Sequence, residues 1–214
     1  NDCILDVFYG TDYHSHLGTR RGGMTSYSAE LGFQRNIHSI ENSPFRTKFE
    51  KDVEKMRGNI CIGCISDTDP QPIMVRSKLG LYAVCSIGII QNAKALSEEL
   101  LENGCANFET MSSGNINSGG LIGALIAQKP TFVEGIRYAQ SKIEGTMSLV
   151  IMTEDSIICA RDKAGKLPIL IGKRSDGYCF SFESFAYQKL GYETCHELKA
   201  GEITKLTKDG YEVL

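Results

Sequence analysis

The sequence predicts a single α+β domain in which helices pack on stacked antiparallel sheets. Three observations predict it. Two sets of strand-like segments flank three helical ones. Tight turns such as Ser175-Asp176-Gly177 and Lys208-Asp209-Gly210 join strands adjacent in sequence. No linker, repeat or low-complexity tract divides the 214 residues, enough chain to bury a core without staples.

Taken in order, Ile4 to Tyr13 places Leu5, Phe8 and Tyr9 at helical spacing. A glycine-rich stretch, Gly18 to Gly23, follows. Residues 26–40 read as a hairpin turning at Gly32, and Phe45 to Met56 is again helical. Asn59 to Ser66 reads as a buried strand. Its successor, Asp67 to Pro72, is a loop by its two prolines. Ile73 to Arg76 and Tyr82 to Ile90 are strands. Asn92 to Glu102 is an amphipathic helix with Leu96, Leu100 and Leu101 toward the core and Gly104 as its stop. Asn117 to Gln128 is a second helix, capped by Asn117 or Ser118. Thr131 to Glu144 is a third, with Phe132, Ile136, Ala139 and Ile143 on one face. Beyond Gly145 the pattern is hairpins: Met147 to Met152 with Ile157 to Ala160, Ile169 to Gly172 with Tyr178 to Phe182, and Glu202 to Leu206 with Tyr211 to Leu214.

Net charge is −3, so nothing marks a nucleic-acid footprint, and no polybasic segment points to an anionic membrane. No apolar run approaches the roughly 18 residues of a membrane span, and no signal peptide is recognised, so a cytoplasmic protein is expected. Its eight cysteines lie mostly in apolar strand-like runs, where free thiols behave as small hydrophobes, and no disulfide framework is expected. Cys61-Ile-Gly-Cys64 lacks the second ligand pair of a zinc site, and its cysteines, three apart in a strand, face opposite ways. His14-Ser-His16 has no third ligand nearby. No metal and no cofactor are expected.

Four segments stand in register across the last third: Glu144-Gly-Thr-Met-Ser-Leu-Val150, Ala160-Arg-Asp-Lys-Ala-Gly-Lys-Leu-Pro168, Ser181-Phe-Glu-Ser184 and Ala200-Gly-Glu-Ile203. They resemble the patterns EGxxS, ARDPxGxRPL, SES and PGE of class-II glutamine amidotransferase domains, as found in amidophosphoribosyltransferase-like proteins. Earlier, Tyr9-Gly10 and Arg21-Gly22 resemble YYGL…HRGQES, Gln71-Pro72 resembles QP, and Gly88 with Asn92 resembles the frame of HNGNLxN. The resemblance covers nearly the whole chain. It implies an N-terminal-nucleophile-hydrolase-like fold, a four-layer αββα sandwich of two antiparallel sheets. It also implies glutamine hydrolysis by an N-terminal cysteine whose α-amino group, with a pKa of about 7.7–8.0, acts as general base.

The chain departs from that pattern where the chemistry lies. Asn1-Asp2-Cys3 corresponds to a point beyond the family's nucleophile strand, and the nitrogen of Cys3 is in an amide bond. Ser66 or Ile65 stands where an arginine should clamp the glutamine carboxylate, and serine has no bidentate fork. Ile87 replaces the oxyanion-hole asparagine, leaving only the Gly88 N–H. Ser112-Ser-Gly-Asn115 has no acid for the α-ammonium; the nearest upstream is Glu109. The expected domain therefore spans 1–214, lacks the nucleophile segment and any phosphoribosyltransferase domain, and carries a degenerate, inactive glutaminase site. No catalytic residue is assigned. The remnant cleft is Arg21, Ser66, Ile87, Gly88 and Gly114. Arg161, Asp162, Glu183 and Glu202 read as structural. The alternative is a working amidotransferase half supplying ammonia for purine nucleotide synthesis. In a third reading Arg20 and Arg21 hold an anion rather than form a solvated turn. Expected partners are a phosphoribosyltransferase domain or subunit, a small molecule in the cleft and further copies of the chain. The intact protein is expected to continue past Leu214.

Overall fold

The computed structural model describes residues 2–104 and 114–214. Helix α1 (Ile4–Tyr13) buries Ile4, Phe8 and Thr11, spaced four and three apart, and α2 (Phe45–Val53) buries Phe45 and Phe49. These rings meet Met24 and Cys61 of the sheet below and form the outer core. That sheet has the order β2-β1-β3: β1 (Arg21–Ser28) pairs antiparallel with β2 (Gly32–Ser39) on one side and β3 (Ile60–Ser66) on the other. Gly32 turns the hairpin with φ +67°, a region that favours glycine. The first strand thus starts five residues before the expected hairpin, at Arg21, because Gly22 and Gly23 fit under α2 and the β3–β4 loop.

Six strands form the central sheet in the order β12-β11-β7-β6-β5-β4. They are β4 (Ile73–Ser77), β5 (Gly80–Ile90), β6 (Gly145–Met152), β7 (Ile157–Ala160), β11 (Ile203–Leu206) and β12 (Tyr211–Val213). β6 is covered on both faces. Leu149 and Ile151 join the core under α3 (Ala93–Glu102), α4 (Ser118–Ile126) and α5 (Phe132–Lys142), while Val150 and Met152 join the core between the sheet layers. A third sheet, β10-β8-β9, lies beside β2-β1-β3 in the other layer. Its strands are β8 (Leu170–Arg174), β9 (Gly177–Ser181) and β10 (Glu193–Glu197), with α6 (Ser184–Lys189) outside them.

The four-layer αββα order agrees with expectation, but one β layer is split into two three-stranded halves that share no hydrogen-bonded strand pair. Helix α1 bridges the halves. Thr11 and Val7 pack over Gly63 of β3, while Asp6 pairs with Arg174 at 2.6 Å and His14 Nε2 lies 2.9 Å from Ser181 Oγ. Two further points correct the sequence reading. Leu101 is 47 % exposed, and α3 buries Leu96, Ser97 and Leu100 instead. α6 and β10 were not anticipated: six residues are too few for a helical period, and Glu193–Glu197 is a polar edge strand with a register shift between Thr194 and His196. Among the described residues no helix is long and apolar enough to cross a membrane.

Candidate functional site

Of the expected cleft residues, the structure brings Arg21 and Ser66 together. Antiparallel register puts Arg21, the first residue of β1, directly opposite Ser66, the last of β3. Arg21 is therefore in a strand, not a turn, and its guanidinium donates to the Thr68 carbonyl at 3.3 Å. The Ser66 hydroxyl accepts the Thr68 N–H at 3.2 Å, so it is used in holding its own loop. Asp67 Oδ1 accepts the backbone N–H groups of Thr19 and Arg20 at 2.7 and 3.0 Å.

Strand β5 runs past its cover. Ala83 and Val84 are fully buried, yet Ile87 and Ile89 are 41 % and 71 % exposed. Gly88 has φ +149°, and a β carbon there would lie 2.1 Å from the Thr146 carbonyl oxygen, so both backbone shape and space require glycine. Ser86 N–H points away from β6 to Gln71 Oε1 at 2.6 Å, while Ile89 N–H points to Thr146 Oγ1 at 3.3 Å. By this strand alternation the Gly88 N–H belongs on the side of Gln71. Gly114 has φ +79° and sits in open space before α4. Half of the acid-free segment, residues 112–113, lies outside the described residues, as does Glu109.

An acid that the sequence reading did not assign to this place sits at the start of α4. Asp69, from the β3–β4 loop, accepts the Ser118 N–H at 2.9 Å. Asn117 caps the same helix by accepting the Gly120 N–H, which resolves the Asn117-or-Ser118 choice. No short-range pattern could have found Asp69, because it lies 49 residues from its partner.

The residues read as structural form a closed corner. Asp162 is 3 % exposed and accepts Ala164 N–H, Lys166 N–H and the Ser148 hydroxyl, at 2.9, 3.1 and 3.4 Å. Arg161 donates to Leu198 O, Gly165 O and Glu197. Glu202 lies 2.5 Å from His196 Nε2 and takes the Thr204 hydroxyl and the Lys199 N–H. Burial pushes the Glu202 carboxyl up, but these hydrogen bonds outweigh it and hold it below its ordinary range. Glu183 instead meets His16 at 3.1 Å, and His14 is taken by Gly10 O and Ser181.

The Cys61 side chain packs in the outer core under α1, whereas Cys64 meets Cys85 of β5, so the C-x-x-C pair faces two ways. The Cys64 contact and then burial push the Cys85 thiol up, and burial does the same for Cys61. Cys3 is partly buried, and its N–H donates to Gly58 O at 2.8 Å. Among the described residues no three His, Cys, Asp or Glu side chains converge as metal ligands.

A model of the glutamine amidotransferase domain family matches residues 56–188. The amidophosphoribosyltransferase of Archaeoglobus fulgidus is 26 % identical over 212 residues, covering 95 % of this chain and 45 % of that protein. That of Staphylococcus epidermidis is 32 % identical over 208 residues, covering 94 % and 38 %. Among solved structures, glutamine phosphoribosylpyrophosphate amidotransferase from B. subtilis, complexed with ADP and GMP, superposes with a TM-score of 0.85 at 23 % identity. It covers 99 % of this chain and 46 % of that one, and it agrees with the N-terminal-nucleophile-hydrolase fold. The chain spans less than half the length of each of these relatives. The fold and a family match over more than half of its residues place this chain in the glutamine amidotransferase domain family, as an amidotransferase domain of the kind found in amidophosphoribosyltransferase-like proteins.

Proposed function

We propose that this amidotransferase domain does not hydrolyse glutamine with its own residues, and serves as a regulatory or scaffolding part of an amidophosphoribosyltransferase-like protein. The observation that carries the reading is Ile87, whose exposed side chain stands at the mouth of the cleft without a hydrogen-bond donor. A tetrahedral oxyanion there would meet one backbone donor, Gly88 N–H. Removing one oxyanion-hole donor costs roughly 2.7–4 kcal/mol, or about 10²–10³ in rate. Ser66 adds no cation to hold a carboxylate, so substrate is also less well oriented. The domain would then act through its contacts with a phosphoribosyltransferase domain or subunit, in the cytoplasm.

One observation favours the second reading, a working glutaminase in the intact protein. Among the described residues the edges of β3 and β9 that lie beneath α1 carry no strand partner. A strand laid antiparallel to β3 on that edge would begin beside Ser66 and end beside Gly58, where Cys3 is bonded. Such a strand could bring a nucleophile to the cleft.

The test is incubation of the full-length protein with glutamine, measuring glutamate and ammonia, with a glutamine-analogue alkylator to locate any nucleophile. The expected result is turnover at least about 10²-fold below an active relative and no labelling of Cys3. Turnover at the relative's rate, with labelling of a cysteine outside this sequence, would establish the second reading instead.

A further inference from the structure

We infer that Cys64 and Cys85 form a paired oxidation site, at which a peroxide converts the two thiols into a reversible disulfide that ties the two sheet layers together. The inference involves neither glutamine nor its nucleophile, so it stands under either reading above.

The C-x-x-C of β3 sends its thiols to opposite sides of the strand. Cys61 packs with Met24 in the outer core under α1, whereas Ile62 lies in the core between the sheet layers. Alternation along the strand puts Cys64 on the side of Ile62. On β5, Val84 belongs to the core under the helices, while Ala83 and Cys85 belong to the core between the layers. The two thiols therefore face each other from opposite layers, and their side chains are in contact.

The backbone shows why the layers approach at this point. Antiparallel register sets Gly23 of β1 directly beside Cys64. A β carbon at Gly23 would lie 1.7 Å from the Gln71 carbonyl oxygen, so β1 rests on residue 71. The Gln71 carboxamide in turn bonds the N–H and the carbonyl of Ser86, the neighbour of Cys85, at 2.6 and 3.0 Å. One residue thus spans from β1, beside Cys64, to β5, beside Cys85. Both cysteines are partly exposed, which admits a small oxidant.

Contact with Cys64 and then burial push the Cys85 thiol up, so Cys85 keeps its proton and Cys64 is the sulfur that attacks. Cys64 Sγ, as thiolate, attacks one oxygen of hydrogen peroxide. The O–O bond breaks, and the departing hydroxide takes a proton and leaves as water. Cys85 Sγ then gives up its proton and displaces hydroxide from the Cys64 sulfenic acid, forming the S–S bond and a second water. The thiols lose two electrons and the peroxide gains them. A thiol reductant reverses the step by exchange.

The test uses the full-length protein, fully reduced and then exposed to hydrogen peroxide equimolar with the chain. The reaction is quenched in acid, free thiols are alkylated, and peptides are mapped by mass spectrometry. The expected result is a Cys64–Cys85 link, the loss of two free thiols per chain and their recovery with dithiothreitol. Cys195, which is exposed, should stay reduced at that dose. In Cys85→Ser, dimedone should trap Cys64 as its sulfenic acid. Oxidation of Cys195 ahead of the pair would overturn the inference, as would a link joining Cys64 to any other cysteine. So would a pair that stays reduced under an about tenfold excess of peroxide. The wild-type map decides among these outcomes whether or not the variant folds.

Discussion

The Arg161–Asp162 corner and the mouth of the cleft are both dense in hydrogen bonds, yet they descend from different parts of the family pattern. At the corner, the residues that resemble the family's are present, and each works on neighbouring backbone. Asp162 gathers its own turn, and Glu202 gathers the start of β11 with His196. Around the β3–β4 loop, polar groups bond one another across distant parts of the chain. Scaffold contacts keep their value whatever the domain binds, whereas a clamp has value only while its substrate is bound. On the function proposed above, this is why a chain can keep the fold and dispense with a substrate clamp.

Four measurements would break or sharpen it. The largest expected effect is Asp162→Ala, which removes three hydrogen bonds to a buried carboxylate and strands the buried Ser148 hydroxyl; unfolding free energy should fall by about 3 kcal/mol in a denaturant titration. A loss below about 1 kcal/mol would show that the corner relaxes, and the contrast would fail. Next is Gln71→Ala at the mouth, with two hydrogen bonds lost and an expected cost of about 2 kcal/mol. A larger loss than for Asp162→Ala would make the β3–β4 loop, not the corner, the stronger anchor.

Third, Glu202 sets an acid dependence. Its folded carboxyl is held below the ordinary value of 4.5, so the unfolded state binds the proton more readily. Its contribution is complete above that ordinary value and is lost as pH falls through the lowered folded value. Stability measured against pH should show this acid slope, and Glu202→Gln should flatten it; an unchanged slope would assign the effect elsewhere. The smallest effect on stability is Ile87→Asn, within about 0.5 kcal/mol because the side chain is already exposed. Glutamine turnover should stay absent, since Ser66 still supplies no cation and no nucleophile is assigned in this sequence. A rise of about 10²–10³ would show that the oxyanion donor alone was missing.

Much of this was legible in the amino-acid order. Apolar runs and period-3.6 patterns located nearly every long element: β6 is a continuous apolar run buried on both faces, and α5 buries the face its spacing defines. That Ser66 carries no guanidinium and Ile87 no amide was legible too, since these are properties of the residue type. Leu101 was misplaced because two adjacent leucines cannot both face one way on a helix, and the contacts of α3 chose Leu100.

What only the tertiary structure decided involves partners far apart in sequence. Asp69 reaches Ser118, Gln71 reaches Ser86, and Arg21 stands opposite Ser66. Local propensity governs neighbours along the chain, so it could fix Asp67 to Pro72 as a loop but could not choose that loop's distant partners. The split of one sheet layer is of the same kind, because strand pairing is settled between edges and not within a strand. By itself the sequence determined the elements and the family frame. Packing determined which distant backbone groups those elements would satisfy, because buried N–H and C=O groups must find partners wherever the fold brings them.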